Sequence, residues 1–400
     1  MKNLFVKTLF AALLLMPVAA AVSCSDSDGD YSFEEQRENA LEGAVKAFVD
    51  NTVVPTYRSM ADGSIRLLEA CEEMQSALES NTLTEALVKS AGDAWIETRA
   101  HWELSEAFLY GAAEDYGIDP HIDSWPLDGV ALQNLLNNAQ MMSQIEDDPG
   151  YVTANLGYGL LGFHAVEYML FETEGTSPKV SKPRSTSKFT HAEMVYLVAV
   201  AGDLCNNCIL LEASWAGVDN LSVQKQEMLE EADMAPTKNY GQLMRNAGKV
   251  STYVNYLDAA QEIIQGCIDI ADEVGAQKIG RPAGLTSTEE GAEADKNYIE
   301  SPYSLNSQTD FKNNIISIQR AYEGSDAGDA SVSDWVRTID PDLDARVRTS
   351  IQTAIDMIGG VTAQFESNAS DSAWKAAGTY CVDNLEKALD EVWDALAAVR

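Results

Sequence analysis

The apolar stretch Gly157-Tyr-Gly-Leu-Leu-Gly-Phe-His-Ala-Val-Glu-Tyr-Met-Leu-Phe171 carries, besides its tyrosines, two ionisable side chains, those of His164 and Glu167. Such a run is typical of a helix buried in a helical core. At about 100° per residue, His164 and Glu167 lie on the same side of that helix. An unpaired carboxylate in a core costs several kcal/mol, so Glu167 needs a basic partner, a proton or a bound cation.

The rest of the chain follows the same helical period. No stretch of its 400 residues shows the alternation of a β-strand, which predicts an all-α fold, and the length suits two helical-bundle domains. The pattern predicts helices from about Asn81 to Tyr110 and from Asn239 to Val274, and an exposed loop over residues 173–190. We assign four segments: a signal peptide (1–23), a lipidated tether (24–32), an N-terminal helical domain (33–225) and a C-terminal helical domain (226–400).

The N-terminus has the pattern of an export signal. Lys2 and Lys7 precede an apolar run that ends in Ala21-Val-Ser-Cys24, which resembles a lipobox. In bacterial lipoproteins the cysteine after such a sequence is acylated. We therefore predict that Cys24 is lipidated and anchors the protein to the cell envelope, at the outer membrane, where it meets an uptake partner. An ordinary secretory signal is the alternative.

The net charge of −36 excludes nucleic acid as a partner, because phosphate binding requires clusters of basic residues and none is visible. A protein with this negative charge attracts cations rather than anions. Acidity also keeps an exported protein soluble, so net charge alone does not predict a metal site.

A second helical stretch places charges on an aromatic face. Between Trp95 and Leu109, the side chains of Arg99 and Glu106 share one narrow stripe, with Glu103 on its flank. Glu103 and Glu106 are three positions apart, as His164 and Glu167 are, so each pair can present two ligand atoms to one point. The alternative is an ion-pair network in which Arg99 satisfies the glutamates without a metal.

Four separate stretches resemble one protein family. Gly162-Phe-His164-Ala-Val-Glu167 is similar to the Gly-x-His-x-x-Glu signature of the imelysin family, which is also called the M75 peptidase family. The other stretches are Trp95-x-x-x-Arg99-x-x-Trp102-Glu103-x-x-Glu106-Ala-Phe, Ile122-Asp123-Ser-Trp125-Pro126 and Glu300-Ser-Pro-Tyr-Ser304-x-x-Ser307-x-x-Asp310-Phe. Through these four stretches, the similarity to the family extends over roughly residues 40–400.

The resemblance implies an exported, often lipid-anchored protein of two helical domains with a functional pocket at their interface. Carried over to this chain, it implies five metal ligands: His164, Glu167, Glu106, Glu103 and Asp123. Three residues would surround them: Arg99, Trp125 and Ser304. One imidazole with several carboxylates suits a divalent or ferric ion, and iron, zinc, manganese and calcium all stay open.

These observations favour a non-catalytic metal-binding lipoprotein that serves iron or other cation acquisition. One alternative is a metal-dependent peptidase of the imelysin type. It is disfavoured because Tyr168 follows Glu167, so neither His-Glu-x-x-His nor His-x-x-Glu-His occurs. The other alternative is a structural or adhesive lipoprotein without bound metal.

Overall fold

The computed structural model describes residues 32–285 and 295–398. Within them the backbone forms twenty α-helices and one β-hairpin, joined by short 3₁₀ and π-helical segments. The prediction of a helical fold is confirmed. The predicted signal peptide and Cys24 lie outside the described residues.

The elements of the first half are α1 (Phe33–Ala47), α2 (Val54–Glu79), α3 (Glu85–Glu103), α4 (Ala112–Asp115), α5 (Ile118–Ile122), α6 (Gly129–Leu136), α7 (Ala139–Asp147), α8 (Tyr151–Asn155), α9 (Gly162–Leu170), β1 (Phe171–Glu174), β2 (Val180–Pro183), α10 (His191–Ala216) and α11 (Val223–Glu231). Those of the second half are α12 (Tyr240–Arg245), α13 (Tyr256–Asp272), α14 (Gly280–Ala283), α15 (Ser307–Glu323), α16 (Val332–Ile339), α17 (Pro341–Gly360), α18 (Phe365–Asn368), α19 (Ser372–Tyr380) and α20 (Lys387–Ala397). The π-helical segments are Phe48–Val53, Glu273–Lys278 and Cys381–Glu386, and the 3₁₀ turns are Glu106–Phe108, Tyr158–Leu160, Thr186–Lys188 and Val218–Asn220.

Helix α10 is the centre of the first group of helices. Its side chains are apolar on nearly every face, so it is covered on one side by α2 and on another by α9. A capping box between Thr190 and Glu193 fixes its start. It is the one helix of the described chain that is long and apolar enough to cross a membrane, and most of its apolar stretch is buried inside the protein.

The second group packs α13, α15, α17 and α20 together, and α1 joins it by packing against α13 and α16. The two groups meet where α15 lies against α3. There the Ser317 hydroxyl accepts a hydrogen bond from the amide of Ala107 at 3.0 Å. Helix α3 therefore faces both groups.

Three local predictions were wrong. Residues 171–183 form a hairpin rather than a loop, because Glu172 faces Lys182 across the strands and each strand is too short to show alternation. The predicted helix from Asn239 to Val274 is interrupted between Arg245 and Tyr256, where the chain turns at Gly248 with φ +78°.

The third wrong prediction concerns α3, which ends at Glu103 rather than near Tyr110. The amide and the hydroxyl of Ser105 both donate to the Trp102 carbonyl oxygen, at 2.7 and 2.6 Å, and this closes the helix. Glu106 begins a 3₁₀ turn instead. Glu103 and Glu106 therefore do not form one helical pair.

Candidate metal centre

The signature glycine brings two distant segments together. Gly162 starts α9 with φ +71°, and a Cβ atom there would lie 2.0 Å from the carbonyl oxygen of Ile122. Only glycine permits so close an approach at this backbone angle. The loop after α5 consequently packs against the start of α9, and the Asp123 Oδ1 atom lies 3.1 Å from Nε2 of His164.

His164 and Glu167 are one turn apart on α9 and almost fully buried. The Nδ1 atom of His164 lies 3.6 Å from Oε2 of Glu167. Neither ring nitrogen makes a well-directed hydrogen bond within the described residues. Burial lowers the pKa of His164, but Asp123 and Glu167 outweigh that effect and raise it to about 9.

The two oxygens of Glu167 have different surroundings. Oε1 accepts three hydrogen bonds, from the amides of Tyr303 and Ser304 at 3.0 and 2.7 Å and from the Ser304 hydroxyl at 2.7 Å. Oε2 has no hydrogen-bond donor among the described residues. The loop that carries Ser304 thus fixes the carboxylate and leaves one oxygen beside His164.

A cavity of about 250 Å³ opens beside these two side chains. Its lining comes from both halves of the chain: Trp125, Pro126, Leu127, His164, Glu167, Lys179, Lys296, Asn297, Ile299, Glu300, Pro302, Tyr303 and Glu366. The Trp125 ring centroid is 6.1 Å from that of His164, and the indole Nε1 is buried without a hydrogen-bond acceptor in the described chain. Polar side-chain atoms without a hydrogen-bond partner in the described chain therefore border this cavity.

Behind His164 lies a fully buried ion-pair network centred on Arg99. Its guanidinium contacts Asp123, Glu103 at 2.5 Å and Glu300 at 2.7 Å. The Trp102 indole donates a hydrogen bond of 2.7 Å to the second oxygen of Asp123. Although burial raises it, the pKa of Asp123 is held well below its usual range by Arg99 and His164. Asp123 therefore joins the imidazole to the guanidinium.

A second buried cation, Lys278, extends the network. Its Nζ atom lies 3.0 Å from Glu300, 3.3 Å from Glu106 and 3.7 Å from Glu103. Burial disfavours the ammonium, yet Glu106 and Glu300 raise the pKa of Lys278 well above its usual value. Two buried cations thus already compensate much of the negative charge in this cluster.

Burial favours the protonated, uncharged form of some of the surrounding acids. Burial raises the pKa of Glu300 to about 7, although Lys278 opposes the effect. Burial also raises the pKa of Glu106 and of Asp310 well above their usual values. The carboxyl of Asp310 is hydrogen-bonded to Ser301 at 2.6 Å and to Asn306 at 2.6 Å.

The structure separates the five predicted ligands. Glu103, Asp123 and Glu300 bring carboxylate oxygens within 4.8 Å of one another, but Arg99 contacts all three. Glu106 contacts Lys278 and lines a different cavity of about 440 Å³. Of the predicted ligands, only His164 and Glu167 line the cavity of about 250 Å³.

Sequence reasoning did not select Lys278, Glu300 or Asp310 as site residues. Glu300 and Asp310 stand in one of the stretches that carried the family resemblance, so their positions offered a signal. Lys278 had none, because it ends a π-helical segment that the helical period does not distinguish.

The fold and the cluster define the class of the protein: a two-group helical protein in which a Gly-x-His-x-x-Glu helix borders a cavity and a buried acid–base network. A family model described as Peptidase_M75, Imelysin, matches residues 53–392. The chain belongs to the imelysin family.

Relatives of the chain include proteins that are linked by name to iron. It is 29% identical over 337 residues to iron-regulated protein A of Synechococcus elongatus, a match that covers 83% of this chain and 79% of the relative. A crystal structure described as an iron-regulated protein A precursor, from Parabacteroides distasonis, has a TM-score of 0.73 and 27% identity, covering 90% of this chain and 96% of the other. The crystal structure of an imelysin-like protein from Psychrobacter arcticum shares the fold, with a TM-score of 0.55 and 11% identity. That match covers 89% of this chain and 93% of the other.

Proposed function

We propose that the protein binds a metal cation as cargo between His164 and Glu167 and serves iron acquisition at the cell envelope. One observation carries this proposal: two nearly inaccessible side chains present Nδ1 and Oε2 atoms, 3.6 Å apart and without hydrogen bonds in the described chain, beside a cavity. Two donors that each lie about 2.0–2.2 Å from one ion can be separated by such a distance.

The surroundings of the pair support ligation. Asp123 lies at the opposite ring nitrogen of His164, the position from which a carboxylate orients a metal-bound imidazole. The three donors to Oε1 hold Glu167 in one orientation without occupying Oε2. An imidazole with a carboxylate suits iron, zinc or manganese. The names of the relatives favour iron among them.

The structural alternative also has support, because Arg99 and Lys278 neutralise Glu103 and Glu300 without any metal. That network leaves Nδ1 of His164 and Oε2 of Glu167 without hydrogen bonds in the described chain. Peptide cleavage is suggested by the name of the family alone. Cleavage of a peptide library that is lost in Glu167→Gln would favour the peptidase.

Thermal unfolding with chelator and then with Fe, Zn, Mn or Ca tests the proposal. An ion at one hundred times its dissociation constant should stabilise the wild type by about 2.7 kcal/mol. His164→Ala and Glu167→Gln should lose this gain. His191→Ala is the matched control, because His191 is an exposed histidine paired with Glu146, and it should keep the full gain. A melting temperature of the wild type that no ion changes would leave the Arg99 network as the better account.

A further inference from the structure

We infer that the cargo enters the cavity as a metal ion already held by a small anionic, oxygen-donor chelator, and that Lys179 and Lys296 at the cavity receive the chelator. This inference rests on the proposed function. It adds the chemical class of the cargo, a metal carboxylate complex rather than a bare ion.

The first argument is the charge that is already present at the site. The guanidinium of Arg99 and the ammonium of Lys278 are buried among Glu103, Asp123 and Glu300. Two permanent cations against these three carboxylates leave one formal negative charge, and Glu167 adds a second, so a trivalent ion beside a neutral His164 would keep an uncompensated positive charge. Because an uncompensated charge in a poorly solvated site is costly, further negative charge has to arrive with the metal.

The second argument is the position of two lysines in a chain with a net charge of −36. Lys179 and Lys296 both line the cavity beside His164, and neither ammonium has an ion-pair partner among residues 32–285 and 295–398. Glu366 also lines this cavity, and its carboxylate accepts a hydrogen bond of 3.2 Å from the Ser307 amide. Two ammonium groups without a partner in the described chain attract an anion, and they oppose the attraction of a bare cation by the carboxylates of Glu167, Glu300 and Glu366 at the same cavity.

The second cavity of the same region offers a direct contrast. It is lined by five carboxylates and no basic side chain: Glu106, Glu114, Asp119, Asp269 and Glu273. Burial raises the pKa of Glu106, Asp119 and Glu273. Because none of its described lining residues is basic, that opening still attracts an anion less than the one with two lysines does. Of these two cavities, the one that His164 and Glu167 border is the one with basic residues in its described lining, and a negatively charged complex would need them there.

Hydrogen bonding and volume agree with an oxygen-rich ligand. The indole N–H of Trp125 can only donate, and it lacks an acceptor within the described residues. A carboxylate oxygen of a bound chelator would supply that acceptor. The cavity of about 250 Å³ also exceeds what one ion needs, since a water molecule occupies only about 30 Å³ of the liquid.

Citrate is a suitable probe because its expected effect on metal affinity is opposite for a metal complex and for a bare ion as the cargo. Calorimetric titrations would compare three additions to the full chain: Fe(III) or Zn(II) with citrate, the same metal in a weakly coordinating buffer, and citrate alone. If the complex is the cargo, citrate should tighten metal binding. If the bare ion is the cargo, citrate competes for it and weakens binding.

The variant Lys179→Gln/Lys296→Gln should lose about tenfold in affinity for the metal–citrate complex and keep the wild-type affinity for the metal alone. The matched control is Lys89→Gln/Lys387→Gln, which removes two exposed lysines paired with Asp93 and Asp383, and it should bind as the wild type does. Metal binding that citrate weakens equally in all variants would overturn the inference and leave the proposed function intact. Citrate that binds equally well without metal would also overturn it. No binding of metal in either form would overturn both.

Discussion

Replacing Gly162 by alanine should disturb both the stability of the protein and the geometry of the site. The new Cβ atom would lie 2.0 Å from the carbonyl oxygen of Ile122, and the residue has φ +71°. A side chain at such a backbone angle costs about 1–3 kcal/mol, and forced overpacking costs a further 1–3 kcal/mol or so. We therefore expect Gly162→Ala to lower the free energy of unfolding by roughly 2–6 kcal/mol, measured by urea denaturation followed by circular dichroism.

Gly157→Ala is the matched control within the same stretch. Gly157 has φ −77°, and a Cβ atom there would meet nothing within 4 Å. Its replacement should change the stability by no more than about 0.5 kcal/mol. If Gly162→Ala folds and the loop yields, Asp123 should move away from His164 and the metal-dependent stabilisation should fall. Equal stability of Gly162→Ala and Gly157→Ala would refute the close approach of α5 and α9.

Two other substitutions test separate parts of the account. Glu106→Gln should lower the free energy of unfolding by up to about 3–5 kcal/mol, because it breaks the buried pair with Lys278. It should nevertheless keep the metal-dependent gain, because Glu106 lines the other cavity. If Glu106→Gln instead loses metal binding as Glu167→Gln does, both glutamates bind the same ion, as the family resemblance implies. Cys24→Ala should move the protein from the membrane to the soluble fraction, since a lipid anchor on Cys24 requires its thiol. Retention in the membrane fraction would show that the lipobox prediction is wrong.

The sequence predicts the helical class and the signature helix well, because both depend on local periodicity. The prediction that Glu167 points at other protein agrees with its burial and with the three donors from Tyr303 and Ser304. The helix itself begins only at Gly162, since Leu161 is extended and the preceding residues form a 3₁₀ turn. Periodicity cannot locate such a break, because the apolar side chains continue through it.

The pairing of charges is what the sequence could not supply. The spacing along one helix predicts Arg99 as a partner of both Glu103 and Glu106. In the structure Arg99 pairs with Glu103, whereas Glu106 pairs with Lys278, which is 172 positions further along the chain. Since α3 ends at Glu103, the helical projection no longer holds for Glu106. Contacts between distant segments depend on how helices pack, and no short-range pattern encodes that.

The parts of the site are widely dispersed along the chain. Arg99 and Glu300 are 201 positions apart, and Glu167 is separated from Ser304 by 137. A partly synthesised chain that has reached only α9 therefore holds the histidine and glutamate of the signature without the loop that fixes Glu167. Such a chain would offer a cation only loose, solvated carboxylates. If His164 and Glu167 hold a cation, as we propose, its capture therefore requires the loop around Ser304 to have packed, so the timing of metal capture is tied to that late step of folding.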